Sequence, residues 1–115
     1  MLKTAPQPGN AAAYVLNPAG VITDATTSRT LSASDNGKVI RCTSGSATTI
    51  TCATGLPVGF NVTIIQGGAG KVTIAAGAAT LNSYSALFST IGQYAVVSVF
   101  SPVADSFIAA GNLGV

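Results

Sequence analysis

Short apolar runs separated by turn residues recur along this chain from Gly20 to its end, and this pattern limits the fold more than any other feature. The runs are rich in β-branched residues, and Gly, Asn or Ser interrupts them about every ten residues, which is typical of an all-β domain. The predicted strands are residues 21–25, 29–31, 38–43, 48–53, 60–66, 71–75, 79–82, 93–101 and 106–110.

Several runs alternate strictly, so that one face of each strand is more apolar than the other. From such strands we expect a single antiparallel β-sandwich, jelly-roll-like or barrel domain over residues 21–115, with the strand order left open. The predicted inward residues are Ile40, Cys42, Ile50 and Cys52, and the residues predicted on the opposite faces are Arg41, Thr49 and Thr51. In the run 60–66, Val62 and Ile64 share one face, and Thr63 and Ile65 share the other.

Two turns carry specific expectations. The segment Gly67-Gly68-Ala69-Gly70 joins two β-branched runs, so it predicts a hairpin whose glycines supply positive φ angles. Ser32, with Asp35 three residues on, has the spacing of a capping box, and Gly37 would end the single helical turn that this box begins. Asp35 is therefore expected to be a structural acid.

Residues 1–20 form a predicted extended N-terminal arm. Prolines 6, 8 and 18 punctuate it, and its strongly apolar part is limited to Tyr14, Val15 and Leu16. Two alternatives fit this composition: a frayed terminus, or an arm whose apolar residues lie on a neighbouring subunit.

Charged residues make up only 7% of the chain, against about 25% in an ordinary soluble domain. A surface built from Ser, Thr, Asn, Gly and Ala is poorly protected against association. We therefore favour a chain whose surface is largely covered in an oligomer or assembly, although a tolerant β-protein with an unusually neutral surface is the alternative.

The same composition argues against several function classes. The five bases are scattered, so neither a nucleic-acid-binding nor a membrane-binding patch is expected. No secretory signal and no run of about 18 apolar residues is visible, which predicts synthesis in the cytoplasm. With no His, no Glu and three widely spaced Asp, we expect no enzyme, no metal site and no cofactor. The glycine-rich segment before Lys71 does not match a phosphate-binding loop.

Cys42 and Cys52 are the whole cysteine inventory, too few for a disulfide scaffold or a four-ligand zinc site. We expect two buried thiols that pack as small apolar side chains. A bridge between them stays open, because they flank the turn at residues 44–46 and could lie in neighbouring strands.

From Thr30 onward the order of motifs is that of a known module. The motifs are LSASDNGKVI at 31–40, PVGFNVTIIQ at 57–66, VTIAAG at 72–77, LNS at 81–83, IGQYA at 91–95 and FIAAGNL at 107–113. This order resembles a β-rich module of tailed-bacteriophage virion proteins, over about three quarters of the chain. Phe107 departs from it where Trp would be expected, and so do the two cysteines.

Among members of that family, a free-standing chain of this size is most similar to head decoration, or cement, proteins. The resemblance implies a homotrimer on the outer capsid surface that binds the major capsid protein and stabilises the shell. The arm residues Lys3, Tyr14, Val15 and Leu16 are then the expected capsid or subunit contacts.

Two other functions remain as alternatives. One is a tail-fibre or baseplate module involved in host attachment, which the same resemblance allows. The other is a carbohydrate-binding module, which needs an exposed aromatic platform. Tyr84 is the residue expected to be exposed, whereas Phe88 and Tyr94 are expected to fill the core or an interface.

Overall fold

A computed structural model describes residues 20–115, so the arm residues Lys3, Tyr14, Val15 and Leu16 lie outside the described residues. The described part is all-β, as predicted, with a short 3₁₀ turn at Ala33–Asp35. Every predicted run overlaps a strand, and two short strands, β8 and β11, were not predicted. The strands are β1 (Val21–Asp24), β2 (Ser28–Thr30), β3 (Val39–Cys42), β4 (Thr48–Thr51), β5 (Asn61–Gln66), β6 (Val72–Ala75), β7 (Thr80–Ser83), β8 (Ser89–Thr90), β9 (Val96–Val103), β10 (Ser106–Gly111) and β11 (Leu113–Gly114).

The first six strands alternate between two sheets. Strands β1, β3 and β5 lie side by side and parallel in one sheet, with Val21 opposite Val39 and Val39 opposite Thr63. Strands β2, β4 and β6 do the same in the other sheet. Each pair of successive strands is therefore one turn of a solenoid-like coil, and each new turn stacks on the one before it.

The second half of the chain completes both sheets with mixed pairing. Strand β9 is antiparallel to β5, β10 is antiparallel to β9, and β7 is parallel to β10 at the sheet edge. The result is a six-stranded sheet in the order β1-β3-β5-β9-β10-β7 and a five-stranded sheet in the order β11-β8-β6-β4-β2.

The expectation of an antiparallel sandwich, jelly roll or barrel is therefore corrected to solenoid-like stacking of mixed sheets. Alternation of apolar and polar residues has the same period in parallel and antiparallel strands, so it does not reveal strand direction. The turn residues mark where a strand ends, and they do not reveal whether the chain returns to the same sheet or crosses to the other.

The turn at residues 67–70 is not a hairpin, because β5 and β6 lie in different sheets. It stacks on the preceding turn of the coil: the N–H of Gly67 donates to the Cys42 carbonyl at 2.7 Å and that of Gly70 to the Ser44 carbonyl at 3.0 Å. None of its glycines has a positive φ. Their role is close approach, since a Cβ on Gly70 would lie 2.8 Å from the Ser44 carbonyl oxygen and would collide with that of Ser46.

The inward residues of both sheets form one core. The predicted faces are confirmed: Ile40, Ile50, Val62 and Ile64 are buried, and Arg41 is exposed. The core also holds Leu31, Cys42, Cys52, Phe60, Val72, Ile74, Val97, Val99, Phe107 and Ala109. Phe60 and Phe107 meet edge to face, with ring centroids 6.2 Å apart, a geometry that adds about 0.5–1.5 kcal/mol beyond area burial.

Buried polar groups fix the end of the five-stranded sheet. The Thr90 hydroxyl donates to Gln66 Oε1 and accepts from the Val72 N–H at 2.9 Å. Gln66 Nε2 in turn donates to the Gly68 carbonyl at 3.2 Å. Thr90 is fully buried, and these bonds satisfy its hydroxyl, whose burial without partners would cost about 1–3 kcal/mol.

Substituting Gly70 by Ala should destabilise the protein by about 3 kcal/mol, because the new methyl group meets backbone atoms that cannot move away cheaply. Gly45→Ala, in the turn below, is the matched control: a Cβ there meets nothing within 4 Å, so the change should stay within about 0.5 kcal/mol. Urea unfolding of both variants measures this. Equal stabilities would contradict the close stacking of the two turns.

Candidate interaction surface

The outer face of the six-stranded sheet is unusually apolar for a solvent-facing surface. One row across it is Val21, Val39, Thr63, Ser98 and Ala110, on β1, β3, β5, β9 and β10. A second row is Thr23, Arg41, Ile65 and Val96, and a third is Asn61, Phe100, Ile108 and Asn82. We call this set of residues the apolar face.

Several large side chains on the apolar face are open to solvent. Val21 is 57% exposed, Val96 41% and Phe100 39%. Arg41 is the single charged residue among the described strand residues of this face, and its Nη1 donates to Thr23 Oγ1 at 3.4 Å. Larger exposed apolar areas mark interaction sites. On this face the exposed apolar side chains stand among polar ones such as Thr63 and Ser98.

A recess of about 360 Å³ opens at the β7 end of the apolar face. Tyr84 and Ser85 line it together with Ile108, Ala109, Ala110, Gly111 and Leu113. Tyr84 follows β7 directly and is fully exposed, as predicted. The exposed Tyr84 ring therefore contacts little of its own chain and lies beside a recess whose wall is largely aliphatic.

The outer face of the five-stranded sheet has a different chemistry. Its central row is Ser28, Thr49, Thr73 and Ser89, and the neighbouring row is Thr30, Thr51 and Ala75. The hydroxyls of Thr73 and Ser89 lie 2.8 Å apart and form a hydrogen bond. We call this set the hydroxyl face. Its hydroxyl groups can hydrogen-bond water, so it needs no protein partner for its solvation.

The densest group of charges is an ionic cluster of Asp24, Arg29 and Asp35. Arg29 Nη1 lies 2.9 Å from Asp24 Oδ2, and Arg29 Nη2 lies 2.6 Å from Asp35 Oδ1. Asp35 is also the predicted capping residue, since its Oδ2 accepts the Ser32 N–H at 3.0 Å. The arginine thereby ties the corner after β1 to the 3₁₀ turn after β2, which is a structural use of both acids.

The electrostatics of this cluster agree with that role. Burial raises the pKa of Asp24, but hydrogen bonds from Thr26 and Arg29 and the charge of Arg29 outweigh it, so the pKa lies below its ordinary value. The hydrogen bond to Asp35 raises the pKa of Arg29 above an already high value. The pKa values of Asp24 and Arg29 therefore both move away from neutral pH, whereas a general acid or base works best when its pKa lies near the working pH.

Both cysteines are free and buried. Cys42 lies on β3 in the six-stranded sheet, and Cys52 follows β4 in the five-stranded sheet, so the expectation of packed thiols is confirmed. Burial raises the pKa of each thiol to about 11. At neutral pH the nucleophilic thiolate is therefore scarce at both positions.

The sequence located some residues of this surface and missed others. Tyr94 was expected in the core or an interface but is 74% exposed on this chain, and Phe88 is half-buried. Val96, Phe100 and Ile108 were not singled out. The available signal was the run 93–101, which carries apolar residues at both alternating positions and so cannot bury all of them on one face.

Two further findings concern residues 20–115. No group of three or more His, Cys, Asp or Glu there is arranged to hold a metal ion. No helix in the same stretch is long and apolar enough to cross a membrane.

Lowering the pH should reduce the free energy of unfolding, because it protonates Asp24. Its lowered pKa in the folded state means that its stabilising contribution is complete above the unfolded-state pKa of about 4 and is lost as pH falls through the folded-state pKa. Asp24→Asn should cost about 1–2 kcal/mol at pH 7 and flatten the loss of stability between about pH 5 and pH 2. Urea unfolding over this pH range measures it.

A second variant separates the causes of the Asp24 shift. Thr26→Val removes one hydroxyl donor to Asp24 and leaves Arg29 in place, so its stability-versus-pH curve should lie between those of the wild type and Asp24→Asn. Parallel curves for all three proteins would show that Asp24 does not carry the acid sensitivity.

The thiols should be unreactive in the folded protein. A thiol-specific disulfide reagent at pH 7–8 should modify neither Cys42 nor Cys52 before unfolding and both after denaturation, since burial and a pKa of about 11 suppress the thiolate. A count of zero thiols after denaturation would show a bridge. Rapid reaction of the folded protein would contradict the burial.

Comparison with known proteins gives no family for this chain. No protein-family model matches its sequence, and no curated protein matches it either.

Proposed function

We propose that this chain is a structural protein of a tailed-bacteriophage particle, which binds the outer surface of the capsid as an oligomer and stabilises the shell. The observation that carries the proposal is the apolar face, where Val21, Val96 and Phe100 are exposed around a single charge, Arg41. In a protein that is packed against other subunits such a face is covered, whereas in a free protein it favours aggregation.

The partners follow from the same proposal. They are further copies of this chain, as a homotrimer, and the major capsid protein. Many identical copies on a symmetric lattice bind with strong avidity even where each contact is weak. The proposed grip on the capsid includes Lys3, Tyr14, Val15 and Leu16 of the arm, which precede the described residues.

The proposal assigns no catalytic activity to the chain. Asp24 and Asp35 are engaged with Arg29, and Asp105 Oδ1 accepts the Gly55 N–H at 2.8 Å. The thiols of Cys42 and Cys52 are buried and protonated at neutral pH. Each carboxylate is engaged in a structural contact, and each thiol is buried in the core. This supports a packing role for the chain over a catalytic one.

Copy number per particle tests the proposed function. Purified virions of the phage that encodes this chain are separated on a denaturing gel, and the band of the chain is quantified against that of the major capsid protein. A decoration protein should approach one copy per capsid subunit, or one trimer per threefold position. A few copies per particle would place it in the tail and favour the host-attachment alternative, and absence from the particle would overturn the virion assignment.

A further inference from the structure

We propose that the end of the six-stranded sheet where β9 begins and β10 and β7 end binds a neutral oligosaccharide, with Tyr84 and Tyr94 as the surfaces on which its sugar rings stack. This binding goes beyond the proposed function and does not depend on it. We call Tyr84, Ser85, Gln93, Tyr94 and Asn112, together with the recess that Tyr84 lines, the tyrosine site.

Strand pairing brings both tyrosines to the same end of the sheet. Tyr84 directly follows β7, whose last residue, Ser83, lies opposite Ala109 of β10. Tyr94 lies two residues before Val96, the first residue of β9. Because β9 is antiparallel to β10 and β10 is parallel to β7, the start of β9 and the end of β7 lie at one end. These two strands flank β10, so they are two strand spacings, or about 10 Å, apart.

Both tyrosine rings are open to solvent. Tyr84 is fully exposed and Tyr94 is 74% exposed. A tyrosine side chain combines an apolar ring with a polar hydroxyl, and it usually covers other surface with both. A sugar ring has matching chemistry, because its C–H faces are apolar and its hydroxyl groups lie around the rim. It can therefore stack on a tyrosine ring and form hydrogen bonds at its edge.

The turn that carries Tyr84 is fixed by hydrogen bonds. The Ser83 hydroxyl donates to the Leu87 carbonyl at 2.9 Å and accepts the Leu87 N–H at 3.0 Å. The Ala86 N–H donates to the Ser83 carbonyl at 3.2 Å, and Ala86 has a φ of 59°, which is uncommon outside glycine. A backbone held in this way loses little conformational freedom when a ligand binds.

Tyr94 itself has a left-handed backbone, with a φ of 72°. Its N–H donates to the Gln66 carbonyl at 2.6 Å, and the Ala95 carbonyl accepts the Gln66 N–H at 3.0 Å. These bonds to the end of β5 hold the tyrosine in a conformation that such a residue rarely adopts. Backbone strain of this kind persists only where surrounding contacts enforce it, and it is concentrated at ligand-binding and catalytic sites.

Amide and hydroxyl groups accompany the two rings. Asn112 Oδ1 accepts the Val96 N–H at 3.0 Å, which fixes the amide and leaves Nδ2 to donate to a ligand oxygen. Gln93 Nε2 donates to the Gly67 carbonyl at 3.2 Å, which leaves Oε1 to accept from a ligand hydroxyl. Ser85 adds an exposed hydroxyl at the recess. This set of donors and acceptors suits sugar hydroxyls, which both donate and accept.

The recess has the size of a small ligand site. Its volume of about 360 Å³ lies at the lower end of the roughly 300–1,000 Å³ that is typical of ligand pockets. The ring of Tyr84 belongs to its wall, and Ile108, Ala110 and Leu113 contribute aliphatic surface. One sugar ring can lie here against Tyr84, and a further unit of the same oligosaccharide then reaches Tyr94.

The charge of the tyrosine site favours a neutral ligand. Its five residues include no acidic or basic side chain. Arg41, on the same side of the sheet, lies on β3, two strands from β9, and its Nη1 donates to Thr23 on β1, away from the site. The carboxylate groups of an acidic polysaccharide would therefore find no cationic partner in the site. A neutral oligosaccharide brings no charge that has to be desolvated.

Sugar binding and packing against other subunits can use different parts of the chain. Phe100 lies opposite Asn61, the first residue of β5, and is therefore at the other end of the sheet from the tyrosine site. Val21 begins β1, which is the opposite edge strand from β7. A subunit that covers Val21 and Phe100 can thus leave the tyrosine site open to a ligand.

Binding of the purified full chain to immobilised oligosaccharides tests the inference. The array carries neutral hexose and N-acetylhexosamine oligomers beside oligomers that contain uronic or sialic acid. We expect binding to at least one neutral series and not to the acidic ones. In solution the bound neutral oligosaccharide should shift the NMR signals of Tyr84, Tyr94 and Asn112. Binding to no neutral series, or to acidic oligomers alone, overturns the inference.

Variants of the aromatic residues separate stacking from general adhesion. Tyr84→Ala and Tyr94→Ala should each weaken binding to the selected neutral oligosaccharide by about 10-fold or more in calorimetric titration. Tyr84→Phe and Tyr94→Phe keep the rings and should retain most of the affinity. Phe100→Ala is the matched control, because it removes an exposed aromatic ring outside the tyrosine site, and it should bind like the wild type.

Circular dichroism and thermal unfolding confirm that each variant is folded. Unchanged affinity in both tyrosine-to-alanine variants, or equal losses in these variants and Phe100→Ala, would overturn the tyrosine site. If the chain binds no sugar and Tyr84→Ala loosens it from the capsid, the tyrosines contact protein and the inference is wrong.

The outcomes are distinguishable from those of the copy-number measurement. A chain that coats the capsid but binds no neutral oligosaccharide keeps the proposed function and overturns this inference. A chain that is absent from virions but binds a neutral oligosaccharide through both tyrosines supports the inference and overturns the proposed function.

Discussion

Stacking of each turn of chain on the previous one is the constraint on which the rest of this structure depends. The backbone of residues 67–70 lies directly on that of residues 42–46, and carbonyls of the lower turn accept N–H groups from the upper one. The contact requires glycine, because a Cβ on Gly68 or Gly70 would occupy the place of backbone atoms. With the corners held in this way, β3 and β5 pair in register in one sheet while β4 and β6 pair in register in the other.

Parallel stacking also decides what each surface presents. Since strands pair in register, side chains of like character line up in rows: hydroxyls in the row from Ser28 to Ser89, and valine with other small or apolar residues in the row from Val21 to Ala110. The two sheet faces therefore differ in chemistry: one carries mostly hydroxyl side chains, and the other carries more apolar ones. A hydroxyl face remains soluble alone, whereas an apolar face gains free energy by being covered.

Four of the chain's charged residues hold corners together. Arg29 joins Asp24 and Asp35, so a single guanidinium connects the corner after β1 with the capping turn before β3. Asp105, at the turn between β9 and β10, accepts a hydrogen bond from the Gly55 backbone far away in sequence. These contacts lie at strand ends and turns, and among the described strand residues Arg41 is the one charge on the outward faces of the two sheets.

The sequence by itself determined the all-β class, the positions of nine strands, the inward faces and the capping turn at Ser32–Asp35. These are local matters: alternation with period two, turn residues and a capping spacing act over a few neighbours. Only the tertiary structure decided that β1, β3 and β5 are parallel, that the glycines at 67–70 serve close approach, and that Phe100 and Ile108 join Tyr84 on one face. Those features depend on which distant strands pair, and alternating residues permit either direction and either sheet.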